Sequence, residues 1–191
     1  PDREEAGGAQ NHRALARWPL LAPLSPAALE ALARDTIERR FRAGEFLLEG
    51  GASAEWLFLM EEGLVREFYV TANGHEHTRA FVSRGGVTGS LFDLKSGEPS
   101  VTWIQAMAPS KTWAIRFAEF NALAARHPDL ESLARREAEA LAIRKTRREY
   151  EMLALSAPER LARCEADYPG LKGKITQRVL ASFLGISPVH L

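Results

Sequence analysis

The stretch 41-FRAGEFLLEGGASAEWLFLMEEGLVREFYV-70 decides the fold. Its apolar residues come in short runs, 45–48, 56–60 and 64–70, cut by Ala43-Gly44 and Gly50-Gly51. Runs of this length bounded by turn residues read as β-strands and not as packed helices. The same rhythm continues downstream at 75–82, 102–107 and 112–117, punctuated by Asn73-Gly74, Gly85-Gly86 and Ser96-Gly97. Strands at roughly ten-residue spacing between Ile37 and Phe117 predict an all-β sandwich or jelly roll. Asn73-Gly74 is the strongest hairpin signal, because both residues tolerate positive φ.

Helical patterns flank this region. Upstream, Ser25 is placed to cap, Pro26 to open, and Leu29, Leu32 and Ala33 to line one face of a helix ending near Thr36. Residues 1–17 are polar, small and Gly-containing, which predicts a loose leader, and the first domain is drawn from residue 22. From Ala118 a short helix runs to about Arg126, His127-Pro128 interrupts it, and Asp129 is placed to cap a long helix over 129–155. Leu130, Leu133, Ala138, Leu141 and Met152 fall near one face of it. About 25 residues span nearly ~40 Å, more than a small sandwich needs for its own core. The surplus seam predicts a partner helix, most simply a second copy of the chain; in the competing reading the helix only packs along the β domain. Ser156-Ala157-Pro158 starts a further helix that Pro169-Gly170 ends.

The composition, 46% hydrophobic and 26% charged over 191 residues, is that of a soluble globular chain with no apolar run long enough to span a bilayer. A cytoplasmic protein without a membrane partner is expected. Cys164 is the single cysteine, so one chain cannot build a disulfide framework or a cysteine-ligated cluster. Net charge is zero, but residues 1–134 carry 14 Lys/Arg against 18 Asp/Glu, and residues 135–191 carry 11 against 7. Any contact with phosphate is therefore expected in the last third.

That last third ends in 174-KITQRVLASFLGISPVHL-191. Thr176 is an N-cap, Val179, Leu180, Phe183 and Leu184 form an apolar face, and Ala181 is small where a second helix must approach. Gly185 can leave the helix with positive φ, and Ser187-Pro188 can cap and begin the next. The pattern fits a helix-turn-helix, and an unrelated helical hairpin shares its caps.

Taken with the chain before it, this arrangement resembles the Crp/Fnr family of bacterial transcription regulators. FRAGEFLLEGGASAEWLFLMEEGLVREFYV is similar to that family's first strands, with Gly44, Gly50 and Gly63 at turns, and GGVTGSLFDLKSGEPSVTWIQAMAPSKTWAI to its ligand-pocket segment. The resemblance implies an α+β chain: a double-stranded β-helix (jelly roll) sensor over 22–128, a dimerisation helix over 129–155, and a winged helix-turn-helix over 156–191 that stops within the recognition helix. It further implies double-stranded DNA, a second copy and RNA polymerase as partners. DNA contacts are expected from Thr176, Gln177 and Arg178 at the start of one helix and Ser187, Val189 and His190 at the start of the next. The dimer interface is expected at Leu130, Leu133, Leu141 and Met152.

The ligand segment departs from the pattern. Cyclic-nucleotide-binding members carry a Gly-Glu-Leu whose Glu holds the ribose, and a following Arg that pairs with the cyclic phosphate. Here the matching residues are Gly89-Ser90-Leu91 and Ser100, and no Arg lies between Arg84 and Arg116. A buried phosphate without a guanidinium keeps an uncompensated charge, costing several kcal/mol, so neither cyclic AMP nor cyclic GMP is expected as cofactor. Gly89, Ser90, Leu91, Ser100, Val101 and Trp103 are the candidate pocket for some other small effector, against an empty pocket. Two alternatives stand beside this reading. His75 and His77 on one strand face suggest a cupin-like metal enzyme, although a pair beside a hairpin is more often exposed. The helical tail could also bind protein instead of DNA. Nucleophile elbows, phosphate loops and spaced carboxylate pairs are not seen, so an enzyme is not expected.

Overall fold

The short apolar runs become two four-stranded sheets in the computed structural model, which describes residues 10–171 and 173–187. The strands are β1 (Ile37–Phe41), β2 (Phe46–Leu48), β3 (Trp56–Glu62), β4 (Leu64–Val70), β5 (Glu76–Ser83), β6 (Val87–Thr88), β7 (Trp103–Ala106) and β8 (Ser110–Arg116). One sheet runs β1-β8-β3-β6 and the other β2-β7-β4-β5, with every pairing antiparallel. Consecutive strands thus alternate between sheets early in the chain, which is the jelly-roll arrangement. The Asn73-Gly74 turn closes the β4–β5 hairpin, where the Thr71 N–H donates to the His75 carbonyl at 2.9 Å.

The period of two in β3 divides its side chains between two cores. Phe58 and Met60 point between the sheets toward Val65, Ile104 and Ala106, while Leu59 points outward with Trp113 and Ile115 of β8. That outer face is covered by helices. α1 (Pro26–Asp35) is capped by the Ser25 hydroxyl, which accepts from the Ala28 N–H at 3.3 Å, and it ends where Thr36 Oγ1 donates to the Leu32 carbonyl at 2.6 Å. α2 (Leu91–Ser96) lies in the ligand segment, α3 (Phe117–Ala124) follows β8, and α4 (Pro128–Ala154) is the long helix. α5 (Ala157–Asp167) and α6 (Gln177–Leu184) form the tail.

Three expectations are corrected. The leader does not extend to residue 21: residues 10–15 are helical, and Leu15, Trp18 and Leu21 are buried in the core outside β3 and β8. These three residues lie at three-residue spacing, Ala14, Leu20 and Leu24 pack beside them, and the bare outer face of the sheet is what draws them in. The long helix is capped at His127 with Pro128 in its first turn, and Asp129 is used elsewhere: its Oδ2 accepts the Ser25 N–H at 2.6 Å, tying α4 to α1. Strands β1 and β6 complete the sheet that carries β3 and β8, and the apolar runs had not marked them, because β1 is IERRF and β6 has two residues.

Candidate functional site

The residues of the segment that resembles the family's ligand pocket are hydrogen-bonded to one another. Ser90 and Ser100 are buried, and so is Asp93 at 1% exposure. Ser100 Oγ lies 2.7 Å from Asp93 Oδ2 and 2.8 Å from the Thr102 carbonyl, the Val101 N–H donates to Asp93 Oδ1 at 3.4 Å, and Ser90 Oγ lies 2.9 Å from Thr102 Oγ1. Burial pushes the Asp93 carboxyl up, but the hydroxyls of Ser100, Ser90 and Thr102 and the Val101 N–H outweigh it and hold the group below the usual carboxylate range. A carboxylate therefore stands beside the residue that matches the phosphate-binding Arg. Asp93 was missed in the sequence because its role depends on α2 bringing it to Ser100. The expected pocket is corrected accordingly. Ser90 and Ser100 are spent on this network, Val101 is exposed, and Trp103 lies against Phe46 and Phe68 with its ring where a Cβ on Gly50 would sit.

Gly89 and Leu91 of the expected set line a different space. A cavity of about 260 Å³ lies between the outer side of β3, β6 and the middle of α4, walled mainly by leucines and isoleucine. At its polar end, Glu67 is buried between two partners: Thr88 Oγ1 donates to Oε1 at 2.7 Å, and Arg79 Nη2 lies 2.7 Å from Oε2. A wider cleft of about 780 Å³ shares Arg79, Arg144 and Lys145 with it and continues along α4 to Tyr168 and Phe183 of the tail.

The tail is built as its residues predict and docked on the sandwich. Thr176 caps α6 by accepting the Val179 N–H at 3.3 Å, and Gly185 ends it at φ +68°. A side chain at Gly185 would meet the Met152 methyl as well as an unfavourable backbone. α5 is opened by Ser156, whose N–H donates to Glu159 Oε2 at 2.8 Å. Val179, Phe183 and Leu184 bury against Cys164 and Leu171 of the tail and against Leu64 and Phe81 of the sandwich. Phe183 packs on Phe81 at 5.1 Å between ring centroids, and the Thr78 N–H of β5 donates to Ser182 Oγ at 2.8 Å. Arg148 of α4 bonds the Phe183 carbonyl and stacks over its ring, and Arg160 Nε of α5 donates to the Leu184 carbonyl at 2.8 Å. Thr176, Gln177, Arg178 and Ser187 are exposed; Val189 and His190 lie outside the described residues.

The residues expected at a dimer interface make contacts within this chain. Leu130 and Leu133 are buried in this chain's own core, Leu141 lines the cavity, and Met152 sits against Gly185. Met152 is nonetheless 39% exposed, and the most exposed large apolar residues of α4 are Ile143, Tyr150 and Leu153, at 69%, 58% and 81%. Seven- and three-residue steps put them on one coiled-coil stripe, a signal present in the sequence but hidden by the stronger leucine pattern upstream. His75 and His77 are both exposed, and among the described residues no three His, Cys, Asp or Glu side chains are grouped to hold a metal ion. Burial pushes the Cys164 thiol up to about 11, which leaves little thiolate near neutrality. No helix among the described residues is long and apolar enough to cross a membrane.

Residues 38–127 match the family described as the cyclic nucleotide-binding domain. Among solved structures the chain is similar to a transcriptional regulator of the Crp/Fnr family from Eubacterium rectale, with 18% identity, a TM-score of 0.72, and 91% of this chain and 82% of that one covered. It is also similar to the c-di-GMP responsive global regulator CLP of Xanthomonas campestris, with 14% identity, a TM-score of 0.71 and 87% of each chain covered. The regulatory subunit of a cAMP-independent protein kinase A from Trypanosoma brucei shares the fold at 18% identity and a TM-score of 0.61 over 72% of this chain. The chain spans about half of that subunit, 49%, and 44% of its Trypanosoma cruzi counterpart. No curated protein matches the chain in sequence. The resemblance to the Crp/Fnr regulators thus holds in the β domain and in the overall fold.

Proposed function

We propose that this chain, whose residues 38–127 match the cyclic nucleotide-binding domain family and whose fold is shared with Crp/Fnr regulators, is a homodimeric DNA-binding transcription regulator that does not answer to cyclic AMP or cyclic GMP. The observation that carries the DNA reading is the capped α6 with its Gly185 exit, set after a sensor sandwich and a long helix, with Thr176, Gln177 and Arg178 exposed at its start. Amides and side-chain donors at a helix N-terminus are suited to a phosphate, and Ser187 begins the segment that would read bases. Ile143, Tyr150 and Leu153 supply an apolar stripe for the matching helix of a second copy, which would set two reading heads about one DNA turn apart.

Independence from cyclic nucleotides rests on Asp93. A cyclic phosphate would have to enter beside a buried carboxylate that already accepts from the Ser100 hydroxyl and the Val101 N–H, with no guanidinium to offset either charge. An effector of another kind would act by binding one orientation of the tail better than the other. The test is selection of bound sites from a random DNA pool with a chain extended past Leu191. Recovery of a palindromic site supports the reading, and a pool that stays unenriched overturns it in favour of a tail that binds protein. Calorimetric titration with cyclic AMP is expected to show no binding; saturable micromolar binding overturns the second half.

A further inference from the structure

We propose that the cavity between the sandwich and the long helix binds a small amphipathic organic anion, a carboxylate on an apolar body, with the carboxylate on Arg79. The space of about 260 Å³ equals that of roughly nine waters at ~30 Å³ each, enough for a body of eight to ten carbons. Its walls include Leu57, Leu59, Ile115, Phe120, Leu133 and Leu141, which offer water no partners and a hydrocarbon many.

The polar end selects the sign of the ligand's charge. Arg79 Nη2 lies 2.7 Å from Glu67 Oε2 and Nη1 donates to Tyr69 Oη at 2.9 Å, while its Nε–H is buried with no acceptor. Buried donors in folded proteins are nearly always paired, and a carboxylate oxygen supplies the missing acceptor. Both Glu67 oxygens are already engaged, by Thr88 and by Arg79, so this carboxylate has little left to offer a cation. Lys95, Arg144 and Lys145 also line the cavity, and Glu137 is the remaining acid. Four cations against two carboxylates leave an excess of two positive charges, which favours an anion over an amine. Arg79 sits on β5 next to Thr78, which bonds Ser182, and two residues before Phe81, which packs on Phe183. A ligand that draws the guanidinium therefore acts on the strand that docks the tail, one residue from the Thr78–Ser182 contact. This deepens the effector-dependent part of the function proposed above and rests on that reading only for its consequence, since binding itself needs no DNA.

The experiment titrates the full chain by calorimetry with octanoate, 1-octanol and octylamine, all below their micelle concentrations and without DNA. Octanoate is expected to bind saturably, one per chain, at least tenfold more tightly than octanol, with octylamine weakest. Arg79→Met is expected to bring octanoate down to the affinity of octanol, and Leu141→Trp, which fills the cavity from α4, to abolish both. Equal affinity for octanoate and octanol, preference for octylamine, or octanoate binding that survives Leu141→Trp overturns the proposal. Should Arg79→Met not fold, the three-ligand series and Leu141→Trp still decide. Octanoate binding with no selected DNA site leaves this proposal standing and removes the regulator; a DNA site with no octanoate binding does the reverse.

Discussion

Removing the Ser182 hydroxyl isolates the polar contact that holds the tail on the sandwich. Its oxygen accepts the Thr78 N–H at 2.8 Å and lies 2.9 Å from Thr78 Oγ1, and Thr78 is only 3% exposed. Ser182→Ala leaves a buried N–H stranded, which costs about 1–3 kcal/mol, and alanine returns a few tenths through better helix propensity. The net loss of about 1–2 kcal/mol lowers the docking equilibrium roughly 5- to 30-fold. Hydrogen exchange on the full chain reads this directly. Protection of the Thr78 amide should fall by that factor together with the amides of α6, while β3 and β8, in the middle of the other sheet, keep theirs. Unchanged protection at Thr78 refutes the contact. A uniform fall over the whole sandwich refutes the separation between docking and folding.

Four further outcomes are expected. Asp93 has a folded pKa below its unfolded value, so its stabilisation is present above about pH 4 and is lost as pH falls through the folded pKa; Asp93→Asn should lower stability at pH 7 by about 1–3 kcal/mol in urea melts and flatten the acid limb. With its thiol pushed up to about 11 by burial, Cys164 should resist a thiol-reactive dye at pH 8 in the native chain and react at once in denaturant. Leu153→Glu, at a site 81% exposed, should turn a dimer into a monomer by sedimentation while leaving the melting temperature of the sandwich unchanged. Arg178→Ala should weaken binding to every DNA sequence alike and reduce the salt slope by about one, whereas a changed base preference at equal affinity contradicts a phosphate role.

Local chemistry made most of the fold legible. The strand runs from 45 to 117, the Ser25 and Thr176 caps, the Asn73-Gly74 hairpin and the Gly185 exit each depend on neighbours within a few residues, and each appears in the structure. What stayed hidden depends on contacts across the chain. Leu15, Trp18 and Leu21 are buried because a distant sheet face needs cover, and Leu130 and Leu133 serve the same face in place of a partner helix. The candidate pocket was misplaced for the same reason. Ser90 and Ser100 stand out in the sequence only against the nucleotide-binding pattern, and their neighbour Asp93 becomes visible only when α2 carries it to Ser100. Nor does spacing reveal Arg79, whose bulged position in β5, where the register shifts opposite Glu67 and Phe68, turns it toward Glu67.

The place where α6 rests has a consequence for the chain's behaviour in solution. β5 ends its sheet, so the amide of Thr78 and the ring of Phe81 belong to an open border that another polypeptide can extend. While the tail is seated, Ser182 occupies the hydrogen bond and Phe183 the apolar place beside it. Displacement of α6 would uncover a template for stacking, and the chain would then stay in solution only as long as something else covered that border. A chain cut after Leu155 should accordingly form aggregates with growing β content at concentrations where the longer chain remains clear.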